Sequence, residues 1–183
     1  MTPDRRARCD GAGAWAAIIL LASLCLAGCA RVASRPPPPP PVTLADHVLI
    51  EKGARRLTLF AHGRPLKVYA VVLGRHPEGP KREEGDDRTP EGDYTIDGRN
   101  PDSAFHLSLH VSYPNALDRE RAEQLGVPPG GDIMIHGQPN GDGWIGAIHR
   151  TGDWTRGCVA VTDAEIEEIW RLVPDGTPVE IRP

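Results

Sequence analysis

Arg56-Leu57-Thr58-Leu59-Phe60-Ala61-His62-Gly63-Arg64-Pro65-Leu66-Lys67-Val68-Tyr69-Ala70-Val71-Val72-Leu73 reads as two strands joined by a turn. Over Arg56 to Ala61, Leu57 and Leu59 fall on one side and Arg56, Thr58 and Phe60 on the other, the period of two imposed by a pleated strand. His62-Gly63-Arg64-Pro65 turns the chain, and Leu66 to Leu73 resumes with Val and Tyr, which suit a half-buried sheet. A β-hairpin over 56–73 is the simplest reading, so the sheet begins here.

Working outward, Val48 to Glu51 has strand character, and Gly74 to Glu91 is polar and rich in Gly, Pro and charge. That composition predicts a long surface loop, with the charges of Lys81 to Arg88 solvated; loops of this length are often functional. Shorter strands are expected at Asp93 to Asp97, His106 to Val111, Ile133 to His136, Trp144 to Ile148 and Val159 to Val161, with a closing strand at Pro178 to Arg182. His106 and His110 would share one face of their strand, as surface or structural groups. Thr162-Asp163-Ala164-Glu165 is a capping box, followed by Ile166, Ile169, Trp170 and Val173 at helical spacing and stopped by Pro174-Asp175-Gly176. Asp118 to Leu125 is a second, shorter helix candidate. The expected class is α+β, mainly β with one or two helices packed on the sheet.

The N-terminus reads differently. Arg5, Arg6 and Arg8 precede the apolar stretch Ala14 to Leu26, and small residues lead to Cys29, the three-part pattern of a secretory signal. The apolar run is 13 residues long, short of the roughly 20 that span a bilayer. Leu26-Ala27-Gly28-Cys29 resembles a bacterial lipobox, which implies cleavage before Cys29 and its lipidation. Ala30, rather than aspartate, in the following position implies the outer membrane as the destination. Pro36 to Pro41 then favours an extended polyproline II stalk. The expected organisation is a signal peptide over 1–28, a lipidated linker over 29–45 and one domain over 46–183, anchored in the periplasm.

Removing residues 1–28 leaves 18 Lys and Arg against 23 Asp and Glu, a net charge of about −5. A chain of that sign offers no electrostatic case for nucleic acid. The cysteine count carries more information. Cys9 and Cys25 leave with the signal and Cys29 takes the lipid, so Cys158 stands without a disulfide partner in an oxidising compartment. Such a thiol is either a small buried hydrophobe or a nucleophile.

A cysteine attacks as thiolate and needs a base or a positive neighbour. His136, at the end of Ile133-Met134-Ile135, and His149, after Trp144 to Ile148, are the candidates. Gly157, lacking a Cβ, permits a tight turn and close approach of a substrate carbonyl to oxyanion-holding N–H groups. Thr155 is placed to orient a histidine or to donate to the same oxyanion. A zinc site from His136, His149 and Cys158 is chemically conceivable, but the spacing matches no metal signature.

Ile135-His136-Gly137, followed by Asp153-Trp154-Thr155-Arg156-Gly157-Cys158-Val159-Ala160-Val161, resembles the His-Gly and [Ser/Thr]-x-Gly-Cys signatures of the YkuD-type L,D-transpeptidases, in the branch that reads Asp-Trp-Thr-x-Gly-Cys. Gly79-Pro80-Lys81, Thr89-Pro90-Glu91-Gly92, His106-Leu107 and Tyr113-Pro114-Asn115 are similar too, so the resemblance covers roughly 48 to 183. It implies mixed β-sheets in a sandwich-like arrangement and a chemistry with no metal or organic cofactor. Cys158 would attack the carbonyl of the third residue of a peptidoglycan tetrapeptide stem, expel D-alanine and pass the resulting acyl group to an amine. It implies His136 as the general base, with Thr155 and Gly157 as oxyanion or orienting residues. Gly137, His149, Trp154 and Arg156 are the substrate-binding candidates, Trp154 either stacking on substrate or filling the core. Arg156 and Ala160 stand where many members carry a second histidine and an Arg or Asn, so substrate anchoring must differ. The same thioester given to water would make a carboxypeptidase or amidase, and a catalytically silent peptidoglycan-binding lipoprotein is the competing class.

Overall fold

The computed structural model describes residues 42–183. The signal peptide, the lipid site at Cys29 and the proline run lie outside the described residues. No helix among the described residues is long and apolar enough to cross a membrane.

Strands β1 (His47–Glu51), β2 (Arg56–Ala61) and β3 (Arg64–Ala70) form an antiparallel meander, with Leu49 opposite Thr58 and Thr58 opposite Val68. The hairpin turns on His62-Gly63, both at positive φ (53° and 71°), as a two-residue turn that follows the strand twist requires. His62 N–H is held by Asp46 Oδ2 at 2.6 Å. Pro65, read from sequence as part of the turn, lies inside β3 opposite Phe60, beside a register shift. It is tolerated because β3 is the sheet's edge, where no partner needs its missing N–H.

The remaining strands are β4 (Gly92–Ser103), β5 (His106–Val111), β6 (Met134–His136), β7 (Val159–Ala160) and β8 (Pro178–Arg182). The eight run in the order β3-β2-β1-β8-β4-β5-β6-β7. β4 is much longer than the strand expected at Asp93 to Asp97. Its first part pairs with β8 and its second with β5, and register shifts between Ile96 and Gly98 and between Asn100 and Ser103 accommodate Gly98 and Pro101. The sheet curls until the chain beyond β3 meets β7: Val72 and Ala160 exchange backbone bonds of 2.9 and 2.8 Å, and Gly74 bridges Thr155. The two layers expected of a sandwich are thus parts of one curled sheet.

Helix α1 (Ala116–Leu125) starts at an Asn115–Asp118 capping box and ends at Gly126 in the left-handed region. Helix α2 (Asp163–Leu172) has the Thr162–Glu165 box foreseen from sequence and packs Ile166 and Ile169, both fully buried, on β5 and β6. Val48, Ile50, Leu57, Leu59, Ile96 and Leu109 fill the interior of the curl.

The strand expected at Trp144 to Ile148 is not one. Gly143–Thr151 forms 3-10 turns interrupted at Gly146 (φ 53°, ψ −135°). Its apolar residues gave it strand character in the sequence, but no strand lies alongside, and Trp144 and Ile148 are 82% and 68% exposed. The loop over 74–91 is also more than a solvated stretch. The buried Lys52 ammonium reaches into it, donating to Gly79 O, Thr89 O and Glu91 Oε1 at 2.6, 2.9 and 2.8 Å. Asp86 gathers Lys81 Nζ and the N–H groups of Arg82, Glu83 and Arg88, and these contacts, working against the effect of burial, hold its carboxyl below the usual carboxylate range. Lys81 is 8% exposed.

Candidate active site

β6 and β7 run parallel with Ile135 opposite Val159 and His136 opposite Ala160. Side chains alternate along each strand, so one step back along this register brings Cys158 opposite Met134 and onto the same face as His136. On the other side β5 brings Ser108 opposite His136. These residues share a cavity of about 510 Å³ that Phe105 and Trp154 also wall. A cavity of about 590 Å³ lined by Arg82, Asp118 and Arg121 contains neither Cys158 nor His136, so chemistry rather than size locates the site.

His136 is 3% exposed. Its Nδ1 lies 2.6 Å from Gly137 O, and since a carbonyl only accepts, Nδ1 carries the hydrogen and Nε2 keeps its lone pair. Burial pushes its pKa below the ordinary imidazole value; the Gly137 bond opposes this and the charge of His149 adds to it. The ring packs against Phe105 (centroids 4.5 Å) and Trp154 (5.9 Å). The half-buried Cys158 thiol donates to Asp132 O at 3.5 Å. Burial pushes the thiol pKa up, opposed by a backbone hydrogen bond from Met134, reinforced by the Asp132 charge and eased by Lys81. The pair therefore rests as neutral thiol and neutral imidazole.

The turn before Cys158 is held internally. Thr155 Oγ1 donates to Cys158 O at 2.7 Å and accepts from Gly157 N at 3.1 Å, so hydroxyl and amide are both engaged within the turn. Gly157 sits at φ 126°, and a Cβ there would lie 2.6 Å from Arg88 O and 3.1 Å from Ile133 Cδ1. The 74–91 loop thus forms the seat of the turn. Asp153, which the sequence did not single out, fastens the other end: its carboxylate accepts from Arg55 Nε and Nη2 at 3.0 and 2.7 Å and from Leu73 N at 2.9 Å. Its place at the head of the Asp-Trp-Thr run was the one available signal.

Trp154 and Arg156 line the cavity, joined by Arg75, Asn100 and Ser103. Trp154 also stacks on Phe105 at 6.3 Å. Gly137 and His149 lie outside the lining. A Cβ on Gly137 would come within 2.7 Å of Asp163 Oδ1, so this glycine admits the start of α2. His149 packs edge-on to Trp154 (6.4 Å), with both ring nitrogens buried and unpartnered; burial, then Arg150, push its pKa down. His106 and His110 contact Glu167 and Asp97 at the surface. Among the described residues no three His, Cys, Asp or Glu side chains are grouped to hold a metal ion.

The family model described as YkuD, the L,D-transpeptidase catalytic domain, matches residues 45–181. The Escherichia coli K12 protein YafK, named as a candidate L,D-transpeptidase, is 31% identical over 97 residues, which is 52% of this chain and 32% of YafK. The chain therefore spans about a third of the length of the curated relatives it matches. Among solved structures, the helical cell shape determining protein Pgp2 of Campylobacter jejuni is 26% identical with a TM-score of 0.57, over 75% of this chain and 47% of that one. An L,D-transpeptidase from Xylanimonas cellulosilytica, 17% identical with a TM-score of 0.50 over 78% of this chain and 62% of that one, shares the fold. The family match runs through nearly the whole of the described domain, and the chain belongs to the YkuD family of L,D-transpeptidase catalytic domains.

Proposed function

We propose that this domain is a peptidoglycan L,D-transpeptidase that carries a stem-peptide acyl group on Cys158 and transfers it to an amine. The observation that supports it best is the placement of Cys158 and His136 on one face of adjacent parallel strands, in one cleft. A neutral imidazole with Nε2 free accepts the thiol proton as sulfur attacks the carbonyl of the third stem residue. The same proton then goes to the departing D-alanine amine, leaving the thioester. The Thr155–Gly157 clasp orients the nucleophile, and Trp154 and Arg156 wall the substrate. Lipidation of Cys29 would hold the domain at the periplasmic face of the outer membrane, next to its polymeric substrate.

Intact mass after incubation with a carbapenem tests the nucleophile. A covalent adduct on the wild type and none on Cys158→Ala supports it, and no wild-type adduct between pH 6 and 9 refutes it. His136→Ala should slow acylation by ~10²- to 10⁴-fold; an unchanged rate removes His136 as base. Products from a purified disaccharide tetrapeptide decide the acceptor: crosslinked dimer supports transfer to an amine, and tripeptide alone assigns hydrolysis.

A further inference from the structure

Asp132 follows Gly130 and Gly131 and stands at φ 54°, a region that L side chains seldom adopt. Asp is among the few residues besides glycine that take up this conformation, and what it adds over a third glycine is a carboxylate. Two observations place the residue beside the sulfur. The Asp132 carbonyl accepts from the Cys158 thiol at 3.5 Å, and the exposed residue lines the same cavity as the sulfur. Of the charged groups on that wall, Arg75 is held by Asp87 at 3.2 Å, while Asp132 and Arg156 make no side-chain ion pair among the described residues.

For the first half of the reaction this carboxylate is a handicap, because a negative charge beside the sulfur opposes the thiolate. Once the thioester has formed the sulfur is neutral and nothing is left to repel. What must then reach the acyl carbon is an amine, which arrives at neutral pH as a cation. The side-chain amine of the donor's third residue is several bonds from that carbon, whereas the acceptor amine has to come directly to it.

We propose that Asp132 recruits the ammonium group of the acyl acceptor to the Cys158 thioester, and so sets the partition between transfer to an amine and loss to water. This rests on Cys158 being the acyl carrier. In the step, the acceptor nitrogen forms a C–N bond as the C–S bond breaks. Of the two protons the ammonium gives up, one ends on the sulfur and the other passes through His136 to solvent. Asp132 binds the cation and remains a carboxylate throughout.

The test follows the full-length chain with disaccharide tetrapeptide as donor and rising concentrations of a stem tripeptide with a free side-chain amine as acceptor. The readout is the ratio of amide to free acid, which depends only on steps after the thioester. Asp132→Asn and Asp132→Gly both tolerate positive φ, so backbone geometry is kept. Each should lower the ratio by about fivefold, the scale of one partly exposed ion pair. Added salt should lower the wild-type ratio but not that of the variants. Hydroxylamine, largely uncharged at neutral pH, should give the same ratio of hydroxamate to acid in all three proteins. An unchanged ratio with the stem amine overturns the proposal. So does an equal fall with hydroxylamine, which would mean that the thioester had moved, or a loss confined to donor acylation, which would mean that Asp132 reads the donor. Absence of any thioester on the wild type is a separate result, because it removes the proposed function itself.

Discussion

Replacing Asp153 separates two contributions that share one side chain. Asp153→Ala removes the acceptor of the Leu73 N–H, on a fully buried residue, and every bond from Arg55 Nε and Nη2. An amide left without a partner in the interior costs about 1–3 kcal/mol. The Arg55 side chain is 39% exposed, so water takes over much of its share, about 0–1 kcal/mol. The sum is about 1–4 kcal/mol for alanine, with a centre of about 2.5 kcal/mol. Asn at 153 keeps an oxygen for Leu73 and gives up only the charge, so its cost stays under about 1 kcal/mol. With a urea dependence of about 2 kcal/mol per molar, the middle of the usual range, the alanine midpoint should fall by about 1 M and the asparagine midpoint by under about 0.5 M. Alkylation of native Cys158 should also be faster in the alanine variant, because the chain leading into the Thr155 turn loses its anchor. Equal midpoint shifts in the two variants would place the energy in the ion pair and refute the role given to the Leu73 bond; no shift in either would refute both.

Gly157→Ala should destabilise the domain by about 2–4 kcal/mol in urea titration, since φ 126° is strained for alanine and the new Cβ meets backbone at Arg88. A change under about 0.5 kcal/mol would mean that the turn does not sit on the 74–91 loop as described. His136 and His149 both have pKa values lowered by burial, so the unfolded chain takes up protons that the fold refuses. Stability should therefore be fully present above about pH 6.5 and fall as the pH drops from there through the two folded-state pKa values. His136→Gln should flatten this dependence, and an identical slope in the variant counts against the burial. The Cys158 thiol is pushed up, so its iodoacetamide rate should reach half-maximum at a pH above that of an ordinary thiol. A fully reactive thiol at pH 6 would instead indicate a resting ion pair with His136.

Signals confined to a few neighbouring residues could be read directly. The hairpin over 56–73, the strand at 106–111 and the capped helix at 163–172 carry their periods and caps in adjacent positions. What depends on a distant partner could not be read. Trp144, Ile145 and Ile148 have an apolar pattern, but only the fold reveals that no strand lies beside them. β4 outruns its apparent end because β5 supplies pairing past Gly98 and Pro101. At the site, Cys158 and His136 were legible from residue type and motif, and Thr155 and Gly157 from their proximity to the thiol. The Arg55–Asp153 clamp joins residues 98 positions apart, and Lys52 is buried by a loop that its own neighbours do not announce.

The seam at which Val72 meets Ala160 bears on how the domain assembles and how it breathes. β7 is two residues long and is stitched on one side to β6 and on the other to the chain beyond β3, so its place depends on segments from opposite halves of the chain. Contacts between such remote segments are entropically late to close during folding, and a ladder this short opens with little surface to expose. Amide exchange at Val72 and Ala160 is then expected to report partial openings well below the energy of global unfolding. Each opening would carry the adjoining thiol away from the imidazole, so assembly of the candidate pair would be the last event of folding and its separation the first event of fraying.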